Sequence, residues 1–300
     1  MSCIFFLGIE DPLYDACKNG NVQKVEELIN HEVDINESMQ YRITPLCVAC
    51  KSGRDDIVKI LLRASADVNF CKNGVSPLDS AYAGKRYKIM QRLLNKGADV
   101  NYSSEGIDCL NKACVDGDIR AVRILLKAKN IMVNKKVKNE STPLLIACFH
   151  GHYEIAKLLL DNGAKVNLRG GSNETSPLFV ACRFNHKEIV QLLLDKGAKV
   201  NSCRPIDGYS PLAIACRENL EDIVNDLLNK NADANLCGKD KTSPLYFASA
   251  KNNENILRML LKGGAKVNLY MEKNILSPLS VAKERGYGSI VRVLQDPGIE

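Results

Sequence analysis

The dipeptide Pro-Leu recurs through the chain, at Pro12, Pro45, Pro77, Pro143, Pro177, Pro211, Pro244 and Pro278. Neighbouring copies stand 32 to 34 residues apart, except for one gap of 66 that Cys109-Leu110 divides, with Cys in the place of Pro. Nine units of about 33 residues account for nearly all of the 300 residues. A period of this size is the mark of a solenoid, in which each unit buries its apolar face only against its neighbours. The length is thereby explained without two globular domains.

Each unit repeats the same chemistry. Three residues beyond every Leu of the dipeptide comes Ala, at Ala16, Ala49, Ala81, Ala113, Ala147, Ala181, Ala215, Ala248 and Ala282. This i, i+3 spacing places both residues on one helix face, where a small side chain lets a neighbouring helix approach closely. Hydroxyl–proline pairs such as Thr44-Pro45, Thr142-Pro143 and Ser210-Pro211 mark helix starts. The hydroxyl caps a free N–H, and Pro fits the first turn, where its missing donor is not needed. A second helix follows with a wide apolar face, as in Ile155-Ala156 and Leu158-Leu159-Leu160. It stops at Gly97, Gly163, Gly197 or Gly264, positions that want a left-handed residue. Asn130 and Asn231 are reasonable substitutes there, while Glu32 and Ser65 depart from the pattern. Val-Asn or its equivalent closes eight units, from Asn36 to Asn268.

Thr/Ser-Pro-Leu-x-x-Ala-Cys, a central Ile-Val-x-x-Leu-Leu and endings such as Ala164-Lys165-Val166-Asn167 resemble the ankyrin repeat. The resemblance implies an all-α solenoid of helix pairs with short β-hairpin loops set roughly at right angles. It covers residues 11–296 as one domain of about nine repeats, between an apolar flap at 1–10 and a tail at 297–300. At about 10 Å per helix pair, the stack is expected to be on the order of 90 Å long. The family often has His after Thr-Pro-Leu. Here Tyr14, Cys47, Asp79, Asn111, Leu145, Phe179, Ala213, Tyr246 and Ser280 stand in that place, so the associated hydrogen bonding is expected to be absent. The fourth unit lacks Pro and carries one extra residue before Asn134, which predicts a local weak point. The family also marks hairpin asparagines such as Asn167 and Asn201 as candidates for hydroxylation.

Six of the 12 cysteines follow the recurring Ala: Cys17, Cys50, Cys114, Cys148, Cys182 and Cys216. At one unit spacing their Cα atoms are too far apart for disulfides, which need less than about 7 Å. They read as small apolar packing residues. Cys47-x-x-Cys50 matches a redox motif only by spacing, and Cys148, His150, His152, Cys182 and His186 do not follow a zinc pattern. No metal and no cofactor is expected. Cys3-Ile4-Phe5-Phe6-Leu7 fails as a signal peptide, having no preceding cation and acids directly after it. No stretch approaches the roughly 20 apolar residues of a membrane span. These features predict a reduced, cytoplasmic, monomeric protein with no membrane insertion. No nucleophile–base pair, phosphate loop or paired carboxylates stand out, and four His leave little acid–base chemistry. An enzyme is not expected.

The family resemblance implies a protein-interaction scaffold or adaptor. It would bind its partner through a concave groove, lined by hairpin tips and the ends of the first helices. Phe149, His150, Arg183, Phe184 and Arg217 occupy those ends, and Arg169, Arg204 and Tyr209 the hairpins. Aromatics with Arg are the usual anchors of interfaces, and they predict a partner segment of apolar and acidic character. Residues 119–139 form a second candidate, with Arg120, Arg123, Lys127, Lys129, Lys135, Lys136 and Lys138 and no acid, in a chain of net charge +6. Lys135-Lys136-Val137-Lys138 also resembles a minimal nuclear import signal. Nucleic acid is a poor match, because no aromatics are interleaved for base stacking. Other readings left open are a sensor of a phosphorylated small ligand, or the repeat region of a larger ubiquitin ligase, kinase or channel.

Overall fold

The structure is a computed structural model that describes residues 11–37, 43–71, 74–104, 106–268 and 277–296. The expected flap and tail lie outside the described residues. The chain divides into two compact units, Met1–Val133 and Asn134–Glu300. The first holds four helix pairs: α1 (Pro12–Asn19) with α2 (Val22–Asn30), α3 (Pro45–Ser52) with α4 (Asp55–Arg63), α5 (Pro77–Ala83) with α6 (Tyr87–Asn95), and α7 (Cys109–Asp116) with α8 (Ile119–Leu125). The second holds five: α9 (Pro143–His150) with α10 (Tyr153–Asp161), α11 (Pro177–Arg183) with α12 (Lys187–Asp195), α13 (Pro211–Arg217) with α14 (Glu221–Asn229), α15 (Pro244–Ala250) with α16 (Glu254–Lys262), and α17 (Pro278–Glu284) with α18 (Gly288–Gln295). Extended structure is slight. Among the described residues, β1 (Ser103–Ser104) pairs antiparallel with β2 (Ile107–Asp108) in the first unit, and Gly170 bridges Thr175 in the second. No helix among the described residues is long and apolar enough to cross a membrane.

The helix starts follow from their caps. The hydroxyls of Thr44, Ser76, Thr142, Ser176, Ser210, Ser243 and Ser277 each accept from the N–H three residues on, at 3.0–3.2 Å. Two repeats without the hydroxyl use a carboxylate instead. Asp11 accepts from the Tyr14 N–H, and Asp108 accepts from the Asn111 N–H. The fourth repeat therefore keeps its cap although it lost its Pro.

Within each unit, the first helices pack on one another through the small column. Ala49, Ala81 and Ala113 in the first unit, and Ala147, Ala181, Ala215, Ala248 and Ala282 in the second, are fully buried. The six cysteines that follow this column are buried as well, and all are free thiols. The second helices add Ile or Val and Leu from their inner faces, such as Ile155 and Leu159 of α10, whereas α2 buries Val25 alone. Burying each of these stabilises the unit by about 1.5–3 kcal/mol before entropy is counted.

Polar links run from repeat to repeat around this core. In the second unit, Oδ1 of Asn134, Asn167, Asn201 and Asn235 accepts from the N–H of Lys165, Lys199, Asp233 and Lys266, at 2.8–2.9 Å. Nδ2 of Asn134, Asn167 and Asn235 donates back to the carbonyls of Gly163, Gly197 and Gly264. The first unit repeats the rung at Asn36, Asn69 and Asn101. The recurring Val-Asn is thus a ladder of side-chain amides.

Three expectations are corrected. Glu32 and Ser65, which depart from the Gly pattern, still adopt left-handed backbone, at φ 55° and 69°. Asn130, the expected left-handed substitute, is not among the positive-φ residues. The extra residue and the early end of α8 at Leu125 give that turn another path. The bonding lost with His after Thr-Pro-Leu is also partly replaced. The Cys47 thiol donates to the Val75 carbonyl at 3.7 Å. Asp79 completes a capping box with Ser76 and accepts from Lys112 Nζ at 2.6 Å and from the Cys109 thiol at 3.4 Å. Cys at the Pro position of the fourth repeat therefore serves as a donor to the third.

Asn167→Ala removes two inter-repeat bonds and should lower unfolding stability by about 1–2 kcal/mol, measured by urea denaturation. The cysteine column gives a pH dependence. Burial, with Asp11 second, pushes the Cys17 thiol up to about 12, and burial raises Cys50, Cys114, Cys148, Cys182 and Cys216 too. Because the folded values are raised, their contribution is complete below the unfolded value of about 8.5 and is lost as pH rises toward the folded values. Urea midpoints should therefore fall steadily above about pH 8.5, and less so in a Cys148→Ala/Cys182→Ala chain.

Candidate functional site

All eight expected partner-binding residues lie in the second unit. The last turn of α9 ends at Gly151, whose φ of 74° and whose closeness to the His186 ring exclude a side chain. That ring places a nitrogen 3.2 Å from the Phe149 carbonyl oxygen, tying the end of α9 to the next repeat. Phe149 stays 50% exposed, and Phe184, which caps α11, stays 40% exposed. Their rings meet edge to face, with centroids 4.5 Å apart and planes at 64°. His150 packs against Phe149 at 5.0 Å and stacks with His152 at 5.7 Å. Burial, then the charges of His152 and His186, lower the His150 pKa and favour its neutral ring. The Arg183 guanidinium lies 5.7 Å from the Phe184 ring centre. Phe149, His150, Arg183 and Phe184 form an exposed aromatic lip.

Tyr209 and Arg217 form a second cluster. The Tyr209 hydroxyl donates to Asp240 Oδ2 at 2.5 Å, and burial and that carboxylate push its pKa up to about 12. Its ring meets Phe247 of α15 edge-on at 5.4 Å, under the Arg217 guanidinium at 5.7 Å. Arg217 also pairs with Glu218. Phe247 was not foreseen. It directly follows Tyr246 in the sequence, and that aromatic pair was the available signal. Arg169 donates to Ser202 Oγ at 2.9 Å and bridges two hairpins.

Arg204 does not belong to the surface. Its side chain is 9% exposed, Nε donates to Asp207 Oδ1 at 3.0 Å, and the guanidinium lies 4.7 Å from the centre of the buried Phe179 ring. Burial works against the Asp207 charge, yet Arg204 and the Tyr209 N–H hold its carboxyl below the usual range. Arg204 braces a hairpin against the core and is withdrawn from the binding set.

The expected basic patch falls into two parts. In the first unit, Arg120 lies over the Tyr87 ring at 4.6 Å, while Arg123, Lys127 and Lys129 are exposed. In the second, Lys136 pairs with Glu140 at 3.2 Å and Glu174 at 3.7 Å. Gly170 explains part of this geometry: a Cβ there would stand 2.3 Å from the Glu140 carbonyl oxygen. Val137 is buried, Lys135 is half-buried and Lys138 is exposed, so the import-like tetrapeptide is partly built into the fold.

Comparison with known proteins follows from these features. A family model described as ankyrin repeats (3 copies) matches residues 13–104, 102–170, 169–236 and 219–300. The ankyrin repeat and KH domain-containing protein mask-1 of Caenorhabditis elegans is 30% identical over 163 residues, which are 54% of this chain and 5% of that protein. Alpha-latroinsectotoxin-Lt1a of Latrodectus tredecimguttatus is 43% identical over 61 residues, 20% of this chain and 4% of the toxin. The matched segments are thus small parts of both relatives. Among solved structures, the ankyrin repeat domain of human ASB11 superposes with a TM-score of 0.59 at 28% identity, covering 74% of this chain and 98% of that one.

The lip and the core separate by mutation. Phe179→Ala should cost about 3–5 kcal/mol of stability as a cavity in the core, and Phe184→Ala less than about 1 kcal/mol. Thermal unfolding of the two variants checks this.

Proposed function

We propose, given that the chain belongs to the ankyrin-repeat family, that it is a non-catalytic scaffold or adaptor. In this reading it acts as a monomer in the reducing cytoplasm. Its second unit captures a segment of a protein partner on the lip made by Phe149, His150, Arg183 and Phe184. Tyr209, Phe247 and Arg217 provide a further aromatic seat.

The observation that carries this reading is the edge-to-face pair of half-exposed phenylalanines beside a guanidinium. Two half-exposed phenylalanine rings forgo roughly half of the about 1.5–3 kcal/mol that full burial of each is worth. A partner that covers them recovers it, and aromatic and Arg side chains are the residues that dominate interface energies. Arg183 favours a partner carrying carboxylates next to its apolar side chains. A second reading is that the repeats serve as the interaction region of a longer protein. The matches that span 5% and 4% of the two relatives favour it.

Affinity capture from cells with the wild-type chain and a Phe149→Ala/Phe184→Ala chain tests the first reading. Specific partners should be lost from the double variant, with affinity reduced by about 2 kcal/mol or more. Unchanged capture would sink it.

A further inference from the structure

The second-helix layer of the first unit carries a different surface. Residues 85–98 contain five cations and residues 119–132 four, and neither stretch contains an acid. Three of the nine are committed elsewhere. Lys85 pairs with Asp116 and Asp118, Arg92 with Asp55, and Arg86 donates to the Lys51 carbonyl. Arg120 covers the Tyr87 ring. The remaining five, Lys88, Lys96, Arg123, Lys127 and Lys129, are exposed and make no ion pair among the described residues.

Two of these, Lys127 and Lys129, line a cleft. The helix α8 runs seven residues where its neighbour α6 runs nine, and the fourth repeat has one residue more before its closing Asn134. The surplus chain at 126–130 leaves the helical path and opens a space of about 720 Å³ against the end of α6. Leu94, Ala98, Val100 and Ala128 give it apolar walls, with Lys127 and Lys129 at its edge. Its single carboxylate, Asp99, accepts from the Asn101 N–H at 2.9 Å. Met132, two residues past Asn130, is 59% exposed, and its flexible thioether can adapt to an apolar partner.

We infer that this cleft binds an acidic peptide segment of a partner protein, with apolar side chains seated over Leu94 and Ala128 and carboxylates on Lys127 and Lys129. Charge complementarity sets the sign of the partner, and Lys88, Lys96 and Arg123 extend the attraction beyond the cleft. The apolar walls favour a peptide over a nucleic acid. A phosphate backbone has no use for such walls, and base stacking needs a free aromatic face. Tyr87, the aromatic residue of these two helices, has its ring under Arg120 and its hydroxyl bonded to Asp118 at 2.9 Å. The site lies in the first unit and does not rest on the lip of the second.

Fluorescence anisotropy on the full chain tests it, with a labelled peptide of Glu and Leu as the probe. Controls are the peptide with Gln for Glu, the peptide with Ser for Leu, an oligouridine, and vesicles containing phosphatidylserine. The Glu/Leu peptide should bind, and both substituted peptides should bind far more weakly. Binding should weaken with salt, and about tenfold or more in Lys127→Glu/Lys129→Glu. Both lysines are exposed and unpaired, so that variant should unfold at the wild-type temperature. The lysine substitutions should weaken binding by the same factor in the wild-type and in the Phe149→Ala/Phe184→Ala background, which separates this cleft from the lip. Equal affinity for the Gln peptide, unchanged affinity in the lysine variant, a lysine effect that disappears in the phenylalanine background, or tighter binding of RNA or vesicles would each overturn the inference.

Discussion

One helix pair of this chain cannot bury its own apolar surface, and everything else in the structure answers that constraint. The first helix of each repeat offers a face of Leu, Ala and a residue that is Cys in six repeats, and that face is buried against the first helices of neighbouring repeats. Small side chains at Ala147, Ala181 and Ala215 let helices of adjacent repeats approach closely. A larger residue there would push the pair apart and strip burial from the whole row, since close-packed interiors have no slack to absorb it. The thiols that follow the alanines are part of the same economy of volume, buried and unbridged.

Polar groups then fix what apolar packing leaves adjustable. Side-chain amides join each hairpin base to the next. Elsewhere a polar side chain grips the backbone carbonyl of the preceding repeat, as Arg54 does at Lys18 and His186 at Phe149. The third and fourth repeats depart most from the consensus, and they hold together through charge. Asp79 gathers Lys112 and Cys109, while Lys85 and Tyr87 converge on Asp118. The same departure shortens α8 and opens the cationic cleft, so the irregular repeat is also the one with a surface of its own.

The helices, their starts and their buried columns were legible because periodicity and capping act over three or four residues. Thr142-Pro143 announces a helix without knowledge of anything distant. What could not be read depends on partners about one period away. Arg204 looks like a surface cation until the Phe179 ring of the preceding repeat is seen beneath its guanidinium. Lys136 sits in a run free of acids, yet Glu174 reaches it from 38 residues further on. Phe247 lay beside a recognised position, but only folding sets it against Tyr209. Asp108 shows the converse: a cap was present in the sequence, and the missing Pro hid it.

The ladder of asparagines has a consequence for how such a chain can change its length. Every rung in the second unit uses the same side-chain oxygen on one repeat and the same backbone N–H on the next, and three of the four add the amide N–H to a glycine carbonyl. The ends of an excised or duplicated period therefore meet with matched donors and acceptors. Gain or loss of a whole period is chemically silent, whereas an insertion of a few residues displaces the acceptor and breaks a rung. Growth by copying is built into the hydrogen bonding itself.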